Sequence, residues 1–383
     1  MTEKAVLCDL TEFIANPVRT GIQRVTYEIL SRWPGPRPLV PARVTADGKM
    51  VLVAAKIFEE MAAYFGGRDG DEKAKQRILA YAGRNGTALS RRDLGHYHAV
   101  LNTELFFAEP RVDFYRKLLA DFGERTFVIF YDWLPWLHPE CFPHDAPLGT
   151  MPYLTFAREV RNAGFISEQT KRDYLTRILR AERRVGPVLP LGSDALGKAR
   201  PEFSPAKRRF VCLGTIEPRK NHRVILDAFA DIWRQGVDAR LTFVGRMGWA
   251  DEDLRRRVEV LPKEEPRFEW QADLADDRVR EEIRGSRATI YLSEREGYGL
   301  PPVESLALGV PAIVCESIPS IEMIEPLGQL RLKTADRESL REAVLDLLDD
   351  DFAQKKHDEI ERLDLPTWDD LSREVALWIE RSR

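Results

Sequence analysis

The sequence predicts an α/β protein built from two doubly wound domains, and two observations lead to this fold class. Short apolar strands alternate with amphipathic helices in both halves of the 383-residue chain. A proline-rich basic stretch, residues 197–209, separates the two series. The predicted organisation is an N-terminal domain at 1–196, a linker at 197–209, a C-terminal domain at 210–365 and a closing helix at 366–383. With 44% apolar residues, the chain is long enough for two separate cores.

The elements are predicted from their hydrophobic period and from flanking breaker residues. In the first half we expect strands at 5–9, 98–102, 127–131, 162–166 and 188–191, and helices at 23–33, 111–121 and 168–178. In the second half we expect strands at 210–213, 240–244, 268–270, 289–292 and 312–315, and helices at 222–235, 254–260, 276–285, 302–308 and 339–349. Residues 41–95 show no clear period. Two such domains facing each other across a cleft bind ligands at the carboxyl ends of their strands.

The most informative motif is the run EGYGLPPVE, which follows a predicted strand and opens a predicted helix. It carries two carboxylates, Glu296 and Glu304, eight positions apart. Gly297 and Gly299 permit a close approach to backbone amides, and a helix N-terminus favours an anion. The arrangement suits a nucleotide sugar, whose hydroxyls the two glutamates would bind. For Glu304 the alternative is that it only stabilises the first helical turn through the helix dipole.

Two cationic side chains are expected at the same edge of the second sheet. The strand at 210–213 is followed by a turn that contains Gly214, Arg219 and Lys220. Arginine can bind two phosphate oxygens at once, and lysine adds a point charge on a leaving diphosphate. An ordinary basic surface loop is the alternative. The neighbouring strand ends in Gly245, followed by Arg246, which is a weaker signal of the same kind.

Composition and charge bear on the binding partners and the location of the protein. The net charge of −4 argues against non-specific nucleic-acid binding. The basic stretch 171–184 predicts an amphipathic helix, which fits either an anionic membrane surface or a solvated helix face. The four cysteines, at 8, 141, 212 and 315, lack metal-ligand spacing and fit reduced residues of a cytosolic protein. We expect a cytoplasmic protein without a leader, placed either free or at the inner face of the membrane.

Together the motifs resemble the family-4 retaining glycosyltransferases of the GT-B fold, which consist of two Rossmann-like domains. The resemblance covers GTIEPRKNH at 214–222, VGRMGW at 244–249, EGYGLPPVE at 296–304 and ALGVPAIV at 307–314. It implies that Glu296 lies by the donor hexose, Glu304 by the ribose, and Arg219 with Lys220 by the diphosphate. It also implies that backbone amides of the 297–300 turn contact the donor, namely those of Gly297, Tyr298, Gly299 and Leu300. The closing helix is similar to one that returns to the first domain.

The first half is similar to the bacterial polysaccharide branch of this family, which includes the O-antigen enzymes. The matching segments are DLT at 9–11 and RTGIQRV at 19–25. They imply that Gly21 and Arg24 face the donor phosphates, although Arg24 also fits an ordinary helix-surface charge. Many relatives carry His-Asp after the central strand, where this chain has Tyr131 and Asp132. Asp132 is a candidate for holding the acceptor hydroxyl, and a capping role in the next turn is equally compatible.

The resemblance implies transfer of a sugar with retained configuration. The donor would be a nucleotide-diphosphate hexose or deoxyhexose, such as mannose or rhamnose, and GDP-, UDP- and dTDP-sugars are all compatible. The acceptor would be a saccharide, lipid-linked in the family-level expectation, read by residues 41–95 and 131–147. No His, Asp or Glu cluster has metal spacing, so we expect neither a metal nor another cofactor. The alternatives are a non-catalytic scaffold or sugar-nucleotide sensor, and a nucleotide-sugar epimerase on the same fold.

Overall fold

The computed structural model describes residues 4–66, 72–84, 86–143 and 149–382. The chain divides into two compact units. The N-terminal unit comprises Met1–Pro139, His144–Gly192 and Pro366–Arg383, and the C-terminal unit comprises Glu140–Pro143 and Ser193–Leu365.

The N-terminal unit is a six-stranded sheet covered by helices, with the strand order β3-β2-β1-β4-β5-β6. All neighbouring strands are parallel except β2 and β3. The strands are β1 Val6–Asp9, β2 Leu39–Val44, β3 Met50–Leu52, β4 Ala99–Asn102, β5 Thr126–Phe130 and β6 Asn162–Phe165. The helices are α1 Thr11–Ala15, α2 Gly21–Ser31, α3 Ile57–Gly66, α4 Glu72–Leu79, α5 Arg91–Leu94, α6 Glu109–Phe122, α7 Leu134–Leu137, α8 Met151–Glu159 and α9 Glu168–Asp173. A π-helical turn, Tyr174–Leu179, continues α9.

The C-terminal unit is a second six-stranded sheet, entirely parallel, with the order β12-β11-β10-β7-β8-β9. Its strands are β7 Arg209–Leu213, β8 Arg240–Val244, β9 Phe268–Gln271, β10 Ala288–Tyr291, β11 Ala312–Cys315 and β12 Gln329–Leu332. Its helices are α10 His222–Arg234, α11 Glu252–Glu264, α12 Asp276–Arg284, α13 Leu300–Ala307, α14 Pro319–Glu322, α15 Arg337–Leu348 and α16 Asp350–Ile360. The predicted fold class, two Rossmann-like α/β units, is therefore confirmed.

The closing helix α17, Trp368–Arg381, lies in the N-terminal unit. Trp378 meets Phe127 of β5 edge to face, with ring centroids 5.0 Å apart. Arg37 forms an ion pair with Glu380 at 2.5 Å. The helix therefore completes the core of the unit in which the chain begins.

The predicted strand at 188–191 is wrong. Val188 forms only an isolated bridge with Phe165. Residues 187 and 190 are both proline and have no N–H to donate to a ladder, so pairing does not extend. The structure has a strand, β2, that runs into the region without a clear period, and its Pro41 pairs with Cys8 of β1.

The predicted linker and the limit at residue 196 differ from the observed division. The C-terminal unit begins at Ser193 and includes all of 197–209. Leu196 belongs to an apolar cluster with Val211 and Ile283, and Ala199 packs against it. Through Leu196 just before it and Ala199 within it, the start of the stretch is attached to this core despite its prolines and basic charges.

The basic stretch 171–184 is helical only as far as Leu179. Arg180 has a left-handed backbone conformation, with φ of 54°, and it ends the helix. Tyr174 and Ile178 are buried on the inner face, while Arg177 and Arg180 are exposed. The amphipathic character is confirmed over this shorter length.

Candidate active site in the C-terminal unit

The turn that carries Glu296 has the predicted strand–glycine–helix form. Strand β10 ends at Tyr291, Gly299 caps the next helix with φ of 90°, and α13 begins at Leu300 with proline in its first turn. A Cβ added at Gly299 would approach Ile318 Cγ2 to 2.5 Å. Only glycine therefore suits this position, both for its backbone conformation and for the space available.

The carboxylate of Glu296 gathers three donors on one oxygen. Oε1 accepts a hydrogen bond of 2.7 Å from the hydroxyl of Tyr291. The same atom lies 2.5 Å from Arg219 Nη1 and 3.2 Å from Lys220 Nζ. The side chain is only 10% exposed. The structure therefore brings together three of the residues predicted to carry the chemistry.

Glu296 is ionised over the whole neutral range. Burial alone raises its pKa, because a charged carboxylate loses hydration, but the charges of Lys220 and Arg219 outweigh this effect. With hydrogen bonds from Ser293 and Tyr291 added, its pKa falls to about 2. A fixed, anionic hydrogen-bond acceptor is suited to orienting hydroxyl groups.

Arg219 and Lys220 lie in a short 3-10 turn, Pro218–Lys220, beyond the carboxyl end of β7. Arg219 donates through Nη1 to the carbonyl of Arg295 at 2.8 Å and pairs through Nη2 with Glu217 at 2.6 Å. Glu217 is buried, and burial raises its pKa against the opposing charges of Arg219 and Lys220. The two cations are thus held by carboxylates of their own unit.

Gly214 and Gly245 directly follow the adjacent strands β7 and β8, with φ of 128° and 152°. A Cβ on Gly245 would come within 2.1 Å of the Gly214 carbonyl oxygen, so the close approach of the two backbones itself requires glycine. Arg246 is 71% exposed and forms an ion pair with Asp273. A role of these three residues in binding the donor stays a prediction.

Glu304 lies in α13, beyond the first turn of that helix, and it is partly buried. The interpretation in which Glu304 only stabilises the first turn through the helix dipole is therefore wrong. Tyr298 is buried, and its carbonyl accepts from the backbone N–H of Ser320. Contact of Glu304 and of residues 297–300 with a donor stays a prediction.

Gly21 and Arg24 lie at the start of α2 in the N-terminal unit. The hydroxyl of Thr20 caps this helix by accepting from Gln23 N at 3.3 Å. Gly21 is exposed, and the guanidinium of Arg24 lies 5.6 Å from the centroid of the Phe65 ring. The helix thus begins two residues before the predicted limit at residue 23 and includes Gly21, and binding of phosphate there stays a prediction.

Tyr131 and Asp132 follow strand β5, which lies between β4 and the edge strand β6. Asp132 Oδ1 accepts from the backbone N–H of Leu134 at 3.0 Å, so the turn-capping interpretation is observed. The hydroxyl of buried Tyr131 donates to the carbonyl of Thr103 at the end of β4. Burial raises the pKa of Tyr131 well above its ordinary value, so the phenol stays neutral. Tyr131 therefore ties two strand ends together.

Sequence reasoning missed a buried ionic cluster at the same edge of the N-terminal sheet. Arg111 donates to Asp9 at 2.8 Å and to Glu104 at 2.6 Å, and Tyr115 donates to Asp9 at 2.7 Å. Glu104 also accepts hydrogen bonds from the backbone N–H groups of Glu12 and Phe13, in the first turn of α1. The sequence did contain a sign that Arg111 is buried, because residues 111, 115 and 118 share one face of α6 and that face is otherwise apolar. Tyr291 and Glu217 were also missed.

Among the described residues no group of three or more His, Cys, Asp and Glu side chains is arranged to hold a metal ion. In the described parts of the chain, no helix combines the length and the apolar character needed to span a membrane.

Solved structures share the fold of this chain. Crystal structures of Anabaena HepE with UDP and glucose superpose over 99% of this chain and 100% of that one, with a TM-score of 0.63 and 13% identity. Sucrose-phosphate synthase from Thermosynechococcus elongatus covers 98% of each chain, with a TM-score of 0.61 and 13% identity. The chain has the GT-B fold. Residues 198–362, which lie within the C-terminal unit, match the family model "Glycosyl transferases group 1".

Relatives in sequence confirm the O-antigen resemblance. The serotype-specific mannosyltransferase WbdA of Escherichia coli is 36% identical over 105 residues, which make up 27% of this chain and 13% of that protein. The O-antigen chain mannosyltransferase B of Escherichia coli is 27% identical over 180 residues, 45% of this chain and 47% of that protein. The matched segments thus cover less than half of either relative.

Proposed function

We propose that the protein is a retaining glycosyltransferase of bacterial surface polysaccharide synthesis. It would move a hexose or deoxyhexose from a nucleotide-diphosphate sugar to a saccharide acceptor, lipid-linked in the cell. The observation that carries this proposal is the convergence of Arg219, Lys220 and Glu296 at the carboxyl ends of β7 and β10, inside the region that matches the group 1 family. The names of the sequence relatives favour mannose as the sugar.

The chemistry assigns a separate task to each charged group. The bond between the anomeric carbon and the phosphate oxygen breaks as a bond forms to the acceptor oxygen on the same face, and the leaving phosphate takes the acceptor proton. Arg219 and Lys220 would stabilise the charge that builds on the diphosphate. Glu296, anionic and fixed, would orient the hydroxyls of the donor sugar, and Asp132 would hold the acceptor. The cytoplasmic location and a contact with the inner membrane stay predictions.

The first test is ligand-induced thermal stabilisation against GDP, UDP, dTDP, ADP and CMP. Because a ligand that binds only the folded protein raises its melting temperature, one nucleotide is expected to stand out, and it names the donor base. The shift should shrink in Arg219→Ala and Glu304→Ala and persist in Arg341→Ala, whose ion pair with Glu338 lies on the surface. Equal shifts with all five nucleotides, or none, would contradict the proposed donor site.

Transfer is expected to proceed without a divalent metal, because Arg219, Lys220 and the helix N-termini supply the positive charge that a metal would otherwise bring. The measurement is release of nucleoside diphosphate from GDP-mannose, UDP-glucose and dTDP-rhamnose in excess EDTA. The rate should match that in added Mg²⁺ or Mn²⁺ within about twofold, which is small against the several kcal/mol a catalytic metal supplies. A rate that returns only on adding metal would refute this part of the proposal.

A further inference from the structure

Tyr291 is a buried tyrosine whose hydroxyl lies between Lys220 and Glu296 at the centre of the site. It ends β10, which lies between β7 and β11 in the parallel sheet, and it pairs with Val314 of β11. The side chain is 4% exposed. A Cβ added at Gly299 would lie 3.6 Å from Tyr291 Cε1, so the ring also packs beside the glycine turn.

The hydroxyl of Tyr291 bridges the two groups of opposite charge. It accepts from Lys220 Nζ at 3.0 Å and donates to Glu296 Oε1 at 2.7 Å. The ammonium of Lys220 also lies 4.7 Å from the centroid of the same ring. One neutral side chain therefore fixes the position of a cation and of a carboxylate at once. Burial and the charge of Glu296 raise the pKa of Tyr291 well above its ordinary value, so the phenol keeps its proton.

The charge balance of the cluster shows why Glu296 needs a hydrogen-bond donor that carries no charge. Two carboxylates face two cations, and the four charges cancel: Glu217, Glu296, Arg219 and Lys220. A bound diphosphate brings further negative charge, and its oxygens compete with Glu296 for the two cations. Glu296 then keeps its burial but loses part of its compensation, which favours protonation. The hydrogen bond from Tyr291 does not depend on the cations.

We propose that Tyr291 is a positioning residue. It keeps Glu296 ionised and in place and fixes the position of Lys220 while Lys220 and Arg219 bind the donor diphosphate. This inference rests on the proposed function, because Tyr291 would position the charged groups of the same donor site. Tyr291 acts through Glu296 and Lys220 and does not itself touch the reacting atoms.

The test is Tyr291→Phe, which keeps the ring and removes only the hydroxyl. Binding of the nucleoside diphosphate found by thermal stabilisation should change less than about threefold, because the cations and the ring remain. The turnover number for release of nucleoside diphosphate from its sugar should fall about 10- to 100-fold. The acid limb of the turnover pH profile should move to higher pH, because Glu296 loses a hydrogen bond that favours its charged form.

A matched control is Tyr174→Phe in the N-terminal unit, which removes a buried phenol hydrogen bond of 2.8 Å to the carbonyl of Ala157. It should leave the pH profile unchanged. A Tyr291→Phe profile that superimposes on the wild-type profile, with turnover within twofold, would overturn the inference.

One readout is independent of activity. The stability deficit of Tyr291→Phe against wild type should narrow as the pH falls towards about 2, the folded pKa of Glu296, because the lost hydrogen bond favours the charged carboxylate and the two unfolded chains titrate alike. The deficit of Tyr174→Phe should not follow this course. If the wild-type protein cleaves no nucleotide sugar, the proposed function is wrong. If the stability difference between Tyr291→Phe and wild type stays constant with pH, the role proposed for Tyr291 is wrong.

Discussion

Replacing Glu296 by glutamine is expected to lower the rate of sugar transfer by about 10³-fold, comparable to the loss of a major electrostatic group in an active site. The amide keeps the shape of the side chain but loses the negative charge that Arg219 and Lys220 now share. It also places an N–H group where the wild-type oxygens only accept. The measurement is steady-state release of nucleoside diphosphate from GDP-mannose, with and without acceptor.

The matched control is Glu338→Gln, which breaks an ion pair with Arg341 on the exposed face of α15. Exposed pairs contribute little, so its rate should equal that of the wild type. Retention of more than a tenth of the wild-type rate by Glu296→Gln would remove Glu296 from the mechanism. Binding of a nucleotide by wild-type protein that neither transfers nor hydrolyses its sugar would favour the scaffold or sensor alternative instead.

The fold class was predictable because most strands of both sheets are short apolar runs separated by helices of regular period. The elements that were missed have local reasons. β2 contains Pro41, α8 begins with Met151 and Pro152 beside a proline-rich run, and β12 alternates polar and apolar residues at the edge of its sheet. In β2 the pairing with β1 outweighed the missing N–H of proline, whereas the first-turn proline of α8 and the alternation of β12 are signals for these elements that were overlooked.

The site was predictable where its charged residues follow a strand closely in the sequence. Glu296, Arg219 and Lys220 each stand a few residues beyond a strand of the parallel sheet, and the carboxyl ends of such strands meet at one edge. Their mutual pairing was not predictable, because the same residues were expected to face the donor. Tyr291 was missed because it belongs to the apolar period of β10, where a tyrosine is ordinary core until its hydroxyl partners are known.

Arg111 illustrates the same limit in the N-terminal unit, since a single basic residue on a helix does not reveal that it is buried. It is 3% exposed and is shared by the carboxylates of Asp9 and Glu104. Replacing it by methionine should lower the local stability of the N-terminal unit by about 3–5 kcal/mol, because two carboxylates stay buried without their cation. The measurement is hydrogen–deuterium exchange of peptides from β1, β4 and α6.

The matched control is Arg116→Met on the same helix, whose ion pair with Glu159 is about half exposed. It should cost less than about 1 kcal/mol. Equal exchange in both variants would show that the buried cluster contributes no more than a surface pair. A loss of transfer activity in Arg111→Met with unchanged exchange would point instead to a direct role of the cluster in the reaction.

The cluster also predicts a pH dependence of stability. Burial, with the charge of Asp9 added, outweighs Arg111 and the backbone hydrogen bonds and raises the pKa of Glu104 from 4.5 to about 7. A carboxyl whose pKa is raised by folding contributes its full stability below its ordinary pKa and loses that contribution as the pH rises through the folded value. Wild-type protein should therefore lose stability relative to Glu104→Gln between about pH 4.5 and 7. A difference that stays constant over this window would show that Glu104 is ionised throughout and that Arg111 compensates it fully.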